Sequence, residues 1–132
     1  MIIQKDQLIK RIESLSLALK KYINEKETEP FCHIRDEAVS EFNKSSILDF
    51  ETICSMDNNS FGHFAAIEST ELDPKKLYIA HLLLSDILAL KSSGEIVPEY
   101  KLEKLSLLKN TISGFESDDV QEIIKIMDAF EL

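Results

Sequence analysis

The sequence predicts an all-α domain, and three observations carry that expectation. Glycine and proline occur only three times each, too few for the tight turns of an all-β fold. No stretch sustains the apolar–polar alternation of a half-buried strand. Apolar residues instead recur at spacings of three and four, the period of a helix with one buried face. At 132 residues, 44% apolar and 30% charged, the chain has the size and mix of one soluble domain. It can bury enough surface to fold without a disulfide or a metal. The expected architecture over residues 1–132 is a single bundle of about six to seven helices.

The first helix is expected over about 4–24. Leu8, Ile12, Leu15 and Leu19 fall on one stripe, Tyr22 continues it, and Lys5, Lys10, Glu13, Lys20 and Lys21 lie off it. Docking of this stripe on the rest of the domain is one reading. A seam between two copies of the chain, formed by Leu8, Ile12, Leu15 and Leu19, is the other. Pro30 suits the first turn of a second helix ending near Phe42 or Asn43. Ser45 or Ser46 can cap a short third helix that turns Ile47, Phe50, Ile53 and Cys54 inward. A fourth begins near Ser60, with Phe61, Phe64 and Ile67 on its face, and fades before Leu72.

Asp73-Pro74 is a strong start for a long fifth helix. The carboxylate accepts hydrogen bonds from free N–H groups, and proline is preset for the first turn. This helix should run to about Ser92, where Gly94 can end it in a left-handed turn. Pro98 opens a sixth, carrying Leu102, Leu105, Leu108 and Ile112 and stopping at Gly114. Ser117, Asp118 and Asp119 start a seventh, with Val120, Ile123, Ile124, Met127 and Phe130 as its apolar face.

Composition also excludes classes of function. The net charge of −9 is uneven: residues 30–72 carry −6 and residues 98–132 carry −4, while 1–29 carry +1. Such a surface repels nucleic-acid phosphates and anionic membranes, so neither is an expected partner. The start, MIIQKDQLIKRIE, has no continuous apolar core of a secretory signal. The longest apolar run, LYIAHLLLSDILAL (77–90), is broken by His81, Ser85 and Asp86 and reads as a core helix, not a membrane span. With two cysteines and no leader, a reducing cytoplasm and free thiols are expected.

DNNSFGHFAAIE (57–68) has much of the pattern of a calcium-binding loop, with Asp57, Asn59, Gly62 and Glu68 in place. Phe61 and Ala65 stand where two oxygen ligands belong, and a new helix begins at Asp73 where the leaving helix should continue. The stretch therefore reads as a helix junction in which Asp57, Asn59 and Ser60 cap a turn. Cys32, His33, Cys54 and His63 are zinc-type ligands without zinc-site spacing, so no metal is expected. Glycines at 62, 94 and 114 cannot build a phosphate-cradling loop, and no hydrolase or metalloprotease motif occurs. The run Glu116, Asp118, Asp119, Glu122 complements a helix start. The chain is expected to be non-enzymatic and to need no cofactor.

DPKKLYIAHLLLSDILALKSSGEIVPEYKLEKLSLLKNTISG (73–114) reads as an antiparallel helical hairpin, with a final helix completing the 73–131 segment. It resembles the paired helices of tetratricopeptide-repeat-like domains. Together with the N-terminal amphipathic helix it looks like small, uncharacterised bacterial all-helical proteins. The resemblance covers about a third of the chain and implies a scaffold offering a groove to a peptide or partner helix. The expectation is a cytoplasmic protein-interaction module, with the acids Asp36, Glu37, Glu41, Asp49 and Glu51 meeting a basic partner. The alternatives are an acidic immunity- or antitoxin-like inhibitor of a basic protein, and a homodimer with a structural or small-ligand role.

Overall fold

Seven helices follow one another in the computed structural model, which describes residues 5–25, 28–65, 70, 71 and 73–132. They are α1 (Lys5–Glu25), α2 (Thr28–Ser45), α3 (Phe50–Ser55), α4 (Asn58–Phe64), α5 (Pro74–Ser92), α6 (Glu99–Ile112) and α7 (Asp118–Ala129). No strand occurs among the described residues, and the all-α expectation holds. No helix among them is long and apolar enough to cross a membrane.

α5 is the axis. The Asp73 carboxylate accepts the Lys75 N–H at 2.9 Å and Pro74 occupies the first helical position, so the helix starts where the sequence places it. Gly94, at φ +75°, ends the segment in the left-handed conformation that glycine adopts without a side-chain clash. Between these ends every residue from Lys76 to Ala89 is buried. A helix apolar on all sides needs covering on all sides, and α1, α2, α6 and α7 all pack on it. α5 and α6 run antiparallel. Lys101, at the start of α6, bonds Asp86 toward the end of α5, while Lys76, at the start of α5, lies 5.5 Å from the ring of Phe115 just beyond α6.

α1 supplies the stripe its spacing predicts, but inward. Leu8, Ile12, Leu15 and Leu19 are buried within this one chain, with Leu19 wholly enclosed. They lie in the shared core of a helix that packs on α2 and α5. Docking on the rest of the domain is thus what this chain shows for the four side chains, which face its own core and not its surface. Pairs at the helix surfaces fix the angles further. Arg11 reaches Glu41 of α2 at 3.0 Å, Lys20 reaches Glu122 of α7 at 2.6 Å, and Tyr22 stacks on Phe31 at 4.8 Å.

Two details depart from the sequence reading. α3 starts at Phe50, not near Ser46, because the Asp49 carboxylate is the cap and accepts the Thr52 N–H at 2.8 Å. Residues 46–48 then form a bend, and Ile47, expected inward, is 92% exposed. On α6, Lys101 and Lys104 are buried while Leu102 is only half-buried. The two lysines occupy the inner face because each has a partner there: Asp86 for Lys101, and the Phe61 ring, 5.8 Å away, for Lys104.

Replacing Leu15 with Ala should lower unfolding free energy by roughly 2–5 kcal/mol, the range for a buried leucine whose cavity cannot collapse. Urea denaturation measures it. His81 carries a second expectation. It is 2% exposed, and its Nδ1–H donates to the Leu77 carbonyl at 2.7 Å. Burial holds its pKa below the ordinary 6.5, so below that pH the unfolded chain takes up a proton that the native ring refuses. Stability should be full above about pH 6.5 and fall as pH drops below it. His81→Leu should flatten the decline between about pH 7.5 and 5.5 by about 1 kcal/mol. An unchanged slope would contradict a buried neutral imidazole.

Candidate partner-binding groove

The departure at α3 creates the most distinctive surface of the molecule. Asn43, near the end of α2, accepts the Phe50 N–H through its side-chain oxygen at 2.8 Å and pulls α3 back against α2. The intervening bend is too short to fold its apolar residues inward. Leu48, just before the Asp49 cap, and Ile53, four residues after it, stand at the positions of a hydrophobic staple. Both open onto a groove whose other walls are Phe42 of α2, Phe64 of α4, and Lys75 and Ile79 of α5. Its volume is about 290 Å³, and the exposed Ile47 stands at its rim. The Lys75 ammonium lies 6.0 Å from the Phe64 ring and gives the α5 wall one positive charge.

The α3 and α4 side has the opposite sign. Asp49 caps α3, and Asp57 caps α4 through the Ser60 N–H at 2.9 Å and the Ser60 hydroxyl at 3.0 Å. Hydrogen bonds from Thr52 hold the Asp49 carboxyl below its usual pKa, and those from Ser60 do the same for Asp57. Both carboxylates are exposed, and neither pairs with a cation among the described residues.

The other acids expected to meet a partner are engaged within the chain. Asp36 pairs with Arg35, Glu37 with His33 and Glu41 with Arg11, each at 3.0 Å. Glu51 pairs with Lys101 at 2.6 Å and also accepts the Tyr100 hydroxyl at 3.3 Å. They are therefore spread over α2 and α3 in separate pairs, and only Asp49 stands beside the groove. Of the calcium-loop residues, Asp57 uses its oxygens on Ser60, Asn59 lies in the first turn of α4, and Glu68 lies outside the described residues. Ile67, expected on the fourth helix, lies outside them as well.

Beneath the surface a charge cluster joins four helices. Lys101 of α6 donates to Asp86 of α5 and to Glu51 of α3, each at 2.6 Å, and Arg35 of α2 donates to Asp86 at 3.2 Å. Asp86 and Lys101 are 3% and 4% exposed. Burial disfavours the ammonium, but its bonds to Asp86 and Glu51 and their charges outweigh that and raise its pKa above the ordinary lysine value. Beside the cluster, burial pushes the Cys54 thiol up to about 12, so it stays protonated and unreactive at neutral pH. Cys32 is half-buried, while His33 and His63 are exposed.

Sequence reasoning missed both the groove and the cluster. The signal for the groove was present in Asp49 and Thr52, a cap and its N3 partner, which put Ile47 outside the helix. No local signal marks Lys101, whose partners lie 15 and 50 residues away. Comparison with protein-family models, with curated proteins and with solved structures finds no match to this chain.

The cluster makes a sharp energetic expectation. Lys101→Met alone leaves the buried Asp86 carboxylate with only Arg35, at 3.2 Å, and should cost up to about 3–5 kcal/mol. Adding Asp86→Leu should recover most of that loss, because both charges are then gone from the interior. Denaturant midpoints of the two variants and the parent decide it, and a double variant no more stable than the single would contradict the pairing.

Proposed function

We propose that the protein is a non-enzymatic helical interaction module of the cytoplasm that holds a protein partner in the groove between α2, α3, α4 and α5. One observation carries the reading: an isoleucine 92% exposed at the rim of an apolar groove. Lone apolar residues on a surface are ordinary, and Ile96, 93% exposed in the α5–α6 connection, is such a case. Ile47 differs because Leu48, Ile53, Phe64 and Ile79 extend its surface inward. At about 290 Å³ the groove falls at the lower edge of the range, roughly 300–1,000 Å³, that holds drug-sized ligands. It suits the side chains of a peptide or helix better than a cofactor.

The non-enzymatic half of the reading is supported by where the titratable groups lie. Asp86 and Lys101 neutralise each other, and Cys54 and His81 are buried and uncharged at neutral pH. Of the α5–α6 hairpin only α5 lines this groove, through Lys75 and Ile79, and the other walls come from α2, α3 and α4. A second reading, an acidic inhibitor of a basic protein in the manner of immunity proteins and antitoxins, draws support from the charge of −9.

Ile47→Asn tests the proposal. The tagged parent and the variant should have melting temperatures within about 1 °C, because an exposed side chain contributes little to the fold. The parent, purified from its own host, should carry a near-stoichiometric protein that the variant loses. Recovery of the same protein by both, or of none by either, would overturn the assignment of this groove.

A further inference from the structure

We infer that the groove takes an amphipathic segment of a partner protein, two apolar side chains entering it and lysines or arginines lying over its α3 wall. The inference rests on the reading of the protein as an interaction module and adds the chemistry of what is bound. Size sets the number of anchors. A cavity of roughly 150 Å³ lined by aliphatic and aromatic side chains holds one benzene-sized group, so about 290 Å³ holds about two. Two side chains three or four residues apart on a helix lie about 5–6 Å from each other and can enter one groove together.

Charge sets the flanks. Asp36, Glu41 and Glu51 already face the cations Arg35, Arg11 and Lys101, and Glu37 lies 3.0 Å from the His33 ring on its own helix. Asp49, next in the chain to the groove residue Leu48, has only uncharged donors and no cation among the described residues. Asp57 has the same character at the start of α4, about 10 Å by helical rise from the groove residue Phe64. A cation arriving with the partner meets no competing cation there. Lys75 on the α5 wall gives the site polarity: the basic flank belongs over α3 and not over α5. The same features disfavour a second copy as occupant. Each copy carries −9, and two such surfaces meeting at an acidic rim repel.

The test uses the full chain, isotopically labelled, and two synthetic helical peptides of about 14 residues, a typical helix length. One has leucines on a single face and lysines elsewhere; the other has glutamates in place of the lysines. The lysine peptide should shift the amide signals of Ile47, Leu48, Ile53, Phe64 and Ile79 and bind at least about tenfold tighter than the glutamate peptide. Ile47→Asn should weaken it by about tenfold, the loss of one buried apolar contact. Asp49→Asn with Asp57→Asn keeps both caps, since asparagine caps as well as aspartate. That double variant should weaken the lysine peptide about three- to tenfold at low salt and leave the fold unchanged.

Equal binding of the two peptides, or shifts scattered over the acidic surface without the groove residues, would overturn the inference. So would sedimentation showing that the parent forms a dimer which Ile47→Asn splits. If neither peptide binds but Ile47→Asn loses a partner captured from the host, the basic amphipathic occupant falls and the interaction module stands. If that capture fails too, both fall.

Discussion

The burial of α5 on every face is the constraint on which the rest of this structure depends. A segment that keeps apolar residues on all sides from Lys76 to Ala89 cannot meet water, and no single neighbour can shield it. At least a ring of helices is needed. α1 and α7 contribute amphipathic faces ending in Leu19 and Met127, both fully enclosed. α2 and α6 close the remaining sides, and the two short helices α3 and α4 fill the space between them. The order of the chain follows from this requirement, because the central helix is fifth and its cover comes from both directions along the sequence.

A central helix has a second requirement, that its buried polar groups find partners, and its charged and imidazole side chains do so while the Ser85 hydroxyl has none among the described residues. Asp86 is matched by Arg35 and Lys101, which come from the helices on either side. His81 is matched by its own helix, through the Leu77 carbonyl. Lys76 donates to the Glu71 carbonyl at 3.0 Å. The Asp86 pairing does more than neutralise a charge. It fixes the rotation of α6, since Lys101 and Lys104 must both face inward, and Leu102 is displaced to the flank as a result. Replacement by apolar residues would make a core of similar or greater stability, but one with less to dictate which face of α6 turns in.

Much of this was legible in the sequence, for reasons that can be named. Asp73-Pro74 and Gly94 mark their helix ends with local chemistry, and the structure uses both as read. The four-three-four spacing of Leu8, Ile12, Leu15 and Leu19 identifies a buried stripe but not what buries it, because a core and a dimer seam impose the same period. The competing caps Ser46 and Asp49 are three residues apart, and the choice between them decides whether Ile47 is core or surface. The acids at 36, 37, 41, 49 and 51 look alike as letters. Their pairing with Arg35, His33, Arg11 and Lys101 is what separates Asp49 from the rest, and for Arg11 and Lys101 that pairing is long-range.

The groove is a consequence of the same architecture. Beside α3 and α4 the half-buried Lys75 of α5 forms one wall of the groove, with the buried Ile79 beneath it. Its shape therefore depends on α5 staying in place while the short helices around it adjust. Native-state hydrogen exchange measures that dependence directly. The account predicts that the amides of Leu77 to Ala89 exchange slowest of all and only by global unfolding, with α3 and α4 opening at lower free energy. Exchange of α5 amides as fast as those of α7 or α3 would contradict α5 as the helix on which the fold is built.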